Sequence, residues 1–446
     1  MPSFRWHSVN TDDAWRDIVR NWKDNESKHP NADFMTSVME TLQMDPAHCS
    51  AFPRSDPTHN GCSSIRPCPK SADGPDSGPA AAFIFESLRS IHSLHWSYDR
   101  ALWKLYLNDM QPTFAPASVA TMPKRDTMAN LLINLLRLGT LSITAPRLNR
   151  AFKARDYFFG ENDAIDVLKQ SVFALLRQQT SVARDLLPDG KNGWAPTQEV
   201  NLTSSMNQVF DGWSHVNALA LRNLFNGSDA SINALGRAIA DGQLIEGRRY
   251  KQPEDDKDGP SLQDIIDRTF YGLGIPELWR ASGIHAFIVD SGLRCGDGND
   301  NNKDWQDQAP LREHLEEAAV SKAGACIDGW QFYLVRPASE SPKRKKFSMP
   351  PGLEELLAGR TWERTWGGVC VEDLVRGAVG TWLKSGRKNN AGGIADNVAD
   401  SIGVDDVLDV DITTPGLIRL PVCSPERSRE VLGKSGENPG ANFPCD

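Results

Sequence analysis

Between Pro79 and about Asp109, apolar side chains return every three or four positions: Phe83, Phe85, Leu88, Ile91, His95, Leu102 and Tyr106 with their neighbours. That is the period of an α-helix. About thirty residues at 1.5 Å rise each make a rod of ~45 Å. Pro79 suits the first turn, where its missing N–H costs nothing. A rod of this length needs other helices to cover its apolar face, and the sequence supplies them. Thr11 to Asp24 is amphipathic, with Thr11 as cap, Asp12 and Asp13 in the first turn, and Trp15, Ile18, Val19 and Trp22 on one face. Asp33 to Met44, Asp163 to Leu187, Thr203 to Asn226, Ser228 to Ala240 and Ser261 to Ala281 repeat the pattern.

The most apolar of these helical stretches is Asp126 to Arg147. Its polar residues between Met128 and Leu138 fall in one narrow stripe of Asn130, Asn134 and Arg137. A helix here buries most of its circumference. It is too short and too interrupted, by Arg137, Gly139 and Pro146, for the ~20 apolar residues that a bilayer requires. The expectation is a central core helix, with a membrane-inserting segment as the competing reading.

At Gly283 the character changes. Ile284–Val289, Trp330–Val335 and Leu417–Val422 are short β-branched and aromatic runs, separated by Gly- and Asp-rich loops. Helices are expected near Glu354, over Val371–Lys384 and over Ile394–Ile402, with a tail from Gly433 to Asp446 that is flexible apart from Cys445. The expected fold class is α+β and predominantly helical: a helical core with a loop-rich, disulfide-stapled α+β region. The expected division is 1–78 (helices and a cysteine-rich loop), 79–282 (helical core) and 283–446 (short strands and loops).

The eight cysteines are Cys49, Cys62, Cys68, Cys295, Cys326, Cys370, Cys423 and Cys445. An even number set in Pro-, Gly- and Ser-rich loops reads as a disulfide framework, hence an oxidising compartment. No CxxC pair or zinc-finger histidine spacing supports a metal instead. The chain opens MPSFRW, without the basic and apolar regions of a signal peptide. Secretion therefore implies that the leader is removed, Met1 standing in its place. Sequons at Asn25, Asn201 and Asn226 permit glycosylation without demonstrating it.

A net charge of −9 leaves no basic face for nucleic acid and no global attraction to anionic membranes. Walker, GxGxxG, GxSxG and HExxH motifs are absent from the sequence. No cofactor and no resident metal are expected. His92 and His95 share a helix face at a spacing that metal sites use, but no third ligand stands out; packing is the plainer reading. Asp297, Asn299 and Asn301 begin a calcium-loop pattern, which fails at Asn302 and Gln308. Asp405, Asp406, Asp409 and Asp411 invite a glycosidase reading, against the plainer one of a wet acidic face. Lys343 to Lys346 form a basic loop. Trp305, Trp362, Arg364 and Trp366 combine aromatic area with charge on loops, the composition of a binding surface.

Taken together, DFMTSVMETL, the Cys49–Cys62–Cys68 group, ELWRASGIHAFIVDSGLRCGDG and LIRLPVC resemble a family of secreted, cysteine-containing proteins of filamentous fungi whose function is uncharacterised. The intervals in the first cysteine group are longer than in that pattern, and its glycines are mostly missing. The resemblance implies a fungal, extracellular protein and carries no catalytic residues. With no catalytic motif in the chain, the expectation is a non-enzymatic effector that binds an extracellular host protein. Inhibition of a host protease, a papain-like cysteine protease first, is its concrete form. The alternatives are a membrane-perturbing toxin and a secreted hydrolase whose catalytic residues, among them His95 or the Asp405–Asp411 cluster, form no motif.

Overall fold

The long apolar period does form the helix it predicts. In the computed structural model, α4 runs unbroken over Pro79–Asn108 and buries Ile84, Phe85, Leu88, Ile91, Tyr98 and Leu102. The structure describes residues 2–26, 34–43, 49, 62, 78–108, 202–242, 244–245, 262–295, 309–338, 346–353, 365–389, 411–434, 440 and 442–446. The apolar stretch 126–147, the helices expected over 163–187, near 354 and over 394–402, the calcium-like loop 296–308 and the basic residues 343–345 lie outside them.

Ahead of α4 come α1 (Pro2–Ser8), α2 (Thr11–Glu26) and α3 (Phe34–Thr41). Thr11 does more than begin α2. It is fully buried, and its hydroxyl donates to the Trp6 carbonyl at 2.9 Å, while the Trp6 indole N–H donates to Asp12 at 2.7 Å. The two helices are thereby welded at their corner. Trp22 of α2 packs edge-on against Phe34, with ring centres 5.4 Å apart, and donates to the Gly227 carbonyl at 2.9 Å. That carbonyl lies in the turn between α5 (Leu202–Leu224) and α6 (Asp229–Ile239). Ser228 caps α6, its hydroxyl accepting from the Ser231 N–H at 3.3 Å. Helix α7 (Leu262–Ala281) packs against α4 and carries Phe270, Leu273, Leu278 and Trp279 into the core.

The strands follow. β1 (Phe287–Arg294), β2 (Gly324–Ile327), β3 (Trp330–Pro337), β4 (Phe347–Ser348) and β5 (Val422–Cys423) form one sheet in the order β2–β3–β1–β5, with β4 added on β3. β1 and β3 are antiparallel, and β1 and β5 are parallel. Gln331 through Val335 are buried without alternation, as in a strand covered on both faces. Of the short helices α8 (Ala309–His314) and α9 (Glu317–Lys322), α9 packs on β2, β3 and β4; helix α10 (Val371–Lys384) packs along β1, β2, β3 and β5. The fold class is α+β and predominantly helical, as the sequence implies.

Two sequence expectations change here. Leu417–Val422 is buried except at Arg419, but only Val422 and Cys423 pair as a strand. Upstream of them the chain instead packs on the small-residue face of α10: a Cβ at Gly377 would sit 3.2 Å from that of Ile418. The Asn389 side chain also brackets Val422, donating to its carbonyl at 3.1 Å and accepting from its N–H at 2.9 Å. The C-terminal end, expected to be flexible apart from Cys445, is also held at 442–446, while 435–439 and 441 lie outside the described residues. Helix α11 (Pro425–Lys434) is formed, and Cys445 is buried in a disulfide with Cys423. Arg427 donates to the Cys445 carbonyl at 3.1 Å and Asn442 to the Asn389 carbonyl at 3.1 Å, which holds the terminus against the sheet.

Two further disulfides join Cys49 to Cys62 and Cys295 to Cys326. Three such bonds require an oxidising compartment for folding. Among the described residues, no helix is long and apolar enough to cross a membrane.

Candidate functional site

Reactive side chains gather where α4 meets α5. The words HSLHWSYD on α4 and DGWSHVN on α5 run past each other in opposite directions. Spacings of three and four residues place His92, His95 and Asp99 on one face of α4, and Ser214 and Asn217 on the facing side of α5. His92, His95, Asp99 and Asn217 are all buried. His95 Nδ1 lies 2.8 Å from Asn217 Oδ1, and Asn217 Nδ2 donates to the His95 carbonyl at 2.9 Å. One turn along, the Ser214 hydroxyl donates to the Asp99 carboxylate.

This arrangement sets the histidine's tautomer. The Asn217 amide must turn its NH2 to the carbonyl, so its oxygen faces the ring and accepts the proton from Nδ1. Nε2 of neutral His95 is then the acceptor nitrogen. The seam thus holds a histidine of defined orientation and a carboxylate fixed by a hydroxyl, both largely out of water. Those are the parts that proton transfer uses. Among the described residues, no three His, Cys, Asp or Glu side chains converge as a metal set.

The double bond to His95 gives Asn217 a measurable role. Asn217→Ala deletes both contacts and leaves the buried ring N–H without its acceptor, at a cost of about 1–3 kcal/mol. A clear loss of stability in urea unfolding is expected, and an unchanged midpoint would show that the pair is not maintained in solution.

A second polar cluster joins α7 to α10. Arg268 makes a bidentate pair with Asp373, both bonds 2.9 Å, and its Nε reaches Asp411 at 3.3 Å. Burial pushes the Asp373 carboxyl up, but Arg268 and the Cys370 N–H outweigh it and hold the group below its ordinary 3.8. Burial would lower the Arg268 guanidinium; the two carboxylates raise it instead. A carboxyl that resists protonation is the opposite of a general acid. This is a structural clasp, and it absorbs Asp411, the one member of the Asp405–Asp411 acidic run that lies among the described residues.

Of the residues proposed from sequence as a binding surface, Trp305, Trp362 and Arg364 lie outside the described residues. Trp366 falls in a 3-10 turn, Thr365–Gly368, that packs on α7. Cys370 is the N-cap of α10, and Cys68 is outside the described set. Sequence reasoning singled out His95 but missed Asp99, Ser214 and Asn217. The recurring Trp-Ser words at 96–97 and 213–214, on two helices that had to pack, were the available signal.

Two curated fungal relatives align with the whole chain. A protein named as a probable chitinase, LysM18, from Penicillium expansum is 30% identical over 491 aligned positions, covering 100% of this chain and 32% of the relative. A secreted chitinase, LysM12, from the same organism is 26% identical over 502 positions, covering 100% of this chain and 31% of the relative. The chain therefore spans about a third of the length of the curated relatives it matches. No protein-family profile and no solved structure matches it.

These relatives correct the functional expectation. A non-enzymatic effector or virulence protein that inhibits a host protease does not fit a chain that aligns along all of its own length with proteins named as chitinases. Nor do the relatives have the unknown function that the fungal resemblance carried. The missing catalytic motifs misled here because glycoside hydrolysis uses ordinary carboxyls, which form no short signature of nucleophile or metal. The hydrolase alternative accommodates the relatives.

Proposed function

We propose that this chain acts in chitin degradation, as all or part of a secreted fungal hydrolase. The observation that carries the reading is the alignment of two proteins named as chitinases along all of the chain. The three disulfides support the extracellular setting, where an insoluble polysaccharide would be met. The α4–α5 seam is where we would look first for the chain's own chemistry. It combines a buried carboxylate, Asp99, with an oriented histidine, whereas Asp373 is locked in its charged form.

Because the chain spans a third of its relatives, binding and turnover are separate questions, and one experiment addresses both. The purified chain is mixed with colloidal chitin, with cellulose as control, and both retention and release of reducing ends are measured. Retention on chitin alone is the expected result. Accompanying reducing ends would make the chain itself the hydrolase, and their absence would make it the substrate-holding part. A chain that is neither retained by chitin nor able to cleave it overturns the proposal.

A further inference from the structure

Among tryptophans whose exposure is described, Trp330 stands apart. Trp6, Trp22, Trp213 and Trp279 are buried and Trp15, Trp96 and Trp382 are half-buried, whereas Trp330 leaves 40% of its surface open. Its position is unusually well fixed. The preceding turn, Asp328-Gly329, has positive φ at both residues (51° and 80°), the geometry of a tight two-residue hairpin. Trp330 pairs across the sheet with Ile327 on one side and Arg294 on the other.

An irregularity in β1 between Asp290 and Arg294 delivers that arginine. The Ser291 hydroxyl anchors it, donating to the Gln331 carbonyl at 2.6 Å and accepting from the Leu293 N–H at 3.2 Å. Directly beyond, Cys295 donates its N–H to the Gly329 carbonyl at 3.0 Å and is bonded to Cys326. The Arg294 guanidinium carbon lies 4.1 Å from the centre of the Trp330 ring. A Cβ at Gly329 would stand 3.4 Å from Arg294 Nη1, so the glycine gives the guanidinium its room.

We propose that Trp330 and Arg294 form a binding platform for β-linked N-acetylglucosamine units, the repeating unit of chitin. The inference rests on the chitin reading above and adds the surface that holds the polymer. A sugar ring presents a patch of C–H bonds to an indole. The guanidinium stacked over one face of Trp330 holds the ring in place, and the indole surface left open is the part a sugar can meet. A protein-binding hot spot would instead require a surrounding apolar surface. The other large exposed apolar residues among those described are Phe4 on α1 and Leu383 on α10, neither in this hairpin. The disulfide and hairpin set the pair before binding, so little ordering cost remains.

The test is a titration of the chain with chitohexaose alongside retention on colloidal chitin. Trp330→Ala is expected to weaken binding at least tenfold, Arg294→Ala less, and Trp330→Phe least, with thermal midpoints close to that of the unaltered chain. Equal binding by a folded Trp330→Ala chain overturns the platform while the chitin reading survives. An unaltered chain that cleaves chitin without being retained by it or by chitohexaose overturns the platform alone, and one that neither binds nor cleaves chitin removes both. Should Trp330→Ala not fold, the unaltered chain decides: chitohexaose is expected to slow oxidation of the Trp330 indole by N-bromosuccinimide, followed by peptide mass. An unchanged rate at Trp330 overturns the platform.

Discussion

Arg268→Ala is expected to destabilise the protein by about 3 kcal/mol at neutral pH, the low end of what removing one partner of a buried ion pair costs. The low end applies because the side chains keep some access to water, 29% for Arg268 and 17% for Asp373. Without the guanidinium, the Asp373 carboxylate faces the α7–α10 junction held by the N–H and the side chain of Cys370. Asp411 loses the same partner. The pH dependence has a definite sign. Asp373 is depressed in the folded state, so its contribution is fully present above its ordinary value of 3.8 and is lost as pH falls through the lower folded value. The stability gap between the unaltered chain and Arg268→Ala should therefore be widest near neutrality and narrow below pH 3.8. Urea unfolding at several pH values measures it. A gap that is constant down to strong acid would mean that Arg268 contributes by packing its stem rather than by charge.

This clasp was not legible in the sequence, for a physical reason. Its partners are 105 and 143 residues from Arg268, and no local period or motif links them. What the sequence did express was local. The period of α4 gave the helix and its buried face. Glu277 to Cys295 reads as a tryptophan-bearing helix, a strand and a cysteine because each part has its own signal: Trp279 buried in α7, Phe287 to Val289 in β1, and Cys295 in its disulfide. β1 starts three residues later and runs five residues further than the expected Ile284–Val289.

Elements without such a signal were missed. Helix α11 (PERSREVLGK) buries only Pro425 and Ser428 and has no apolar face to announce it. Strand β2 is four residues long and is recognisable only through the Asp328-Gly329 turn that follows it. Apolar Leu417 to Val422 signalled burial correctly and pairing wrongly, since glycines of α10 and the Asn389 amide take the place of neighbouring strands. The candidate site divides in the same way. His95 is conspicuous on its helix, but its use depends on Asn217, 122 residues away. Trp330 reads as one aromatic among several until the turn and the disulfide hold it at the surface.

The second large effect is expected at Gly367. The residue has φ +61°, and a Cβ there would stand 2.5 Å from the Asp267 carbonyl carbon and 2.6 Å from the Arg268 nitrogen. These are backbone atoms inside α7, so they cannot turn aside as a side chain would. Gly367→Ala therefore meets two penalties. The left-handed conformation costs an L-residue about 1–2 kcal/mol, and forcing a methyl group into a closed contact adds about 1–3 kcal/mol. The turn should be pushed off α7, and with it the Gly368 carbonyl that Arg268 Nη1 reaches at 3.4 Å. Because the displacement also loosens the clasp, Gly367→Ala and Arg268→Ala should not be additive. The double variant is expected to lose clearly less than the sum of the single losses. Full additivity in the same urea series would show that the turn and the clasp are independent, and that the contact at Gly367 is relieved without moving α10.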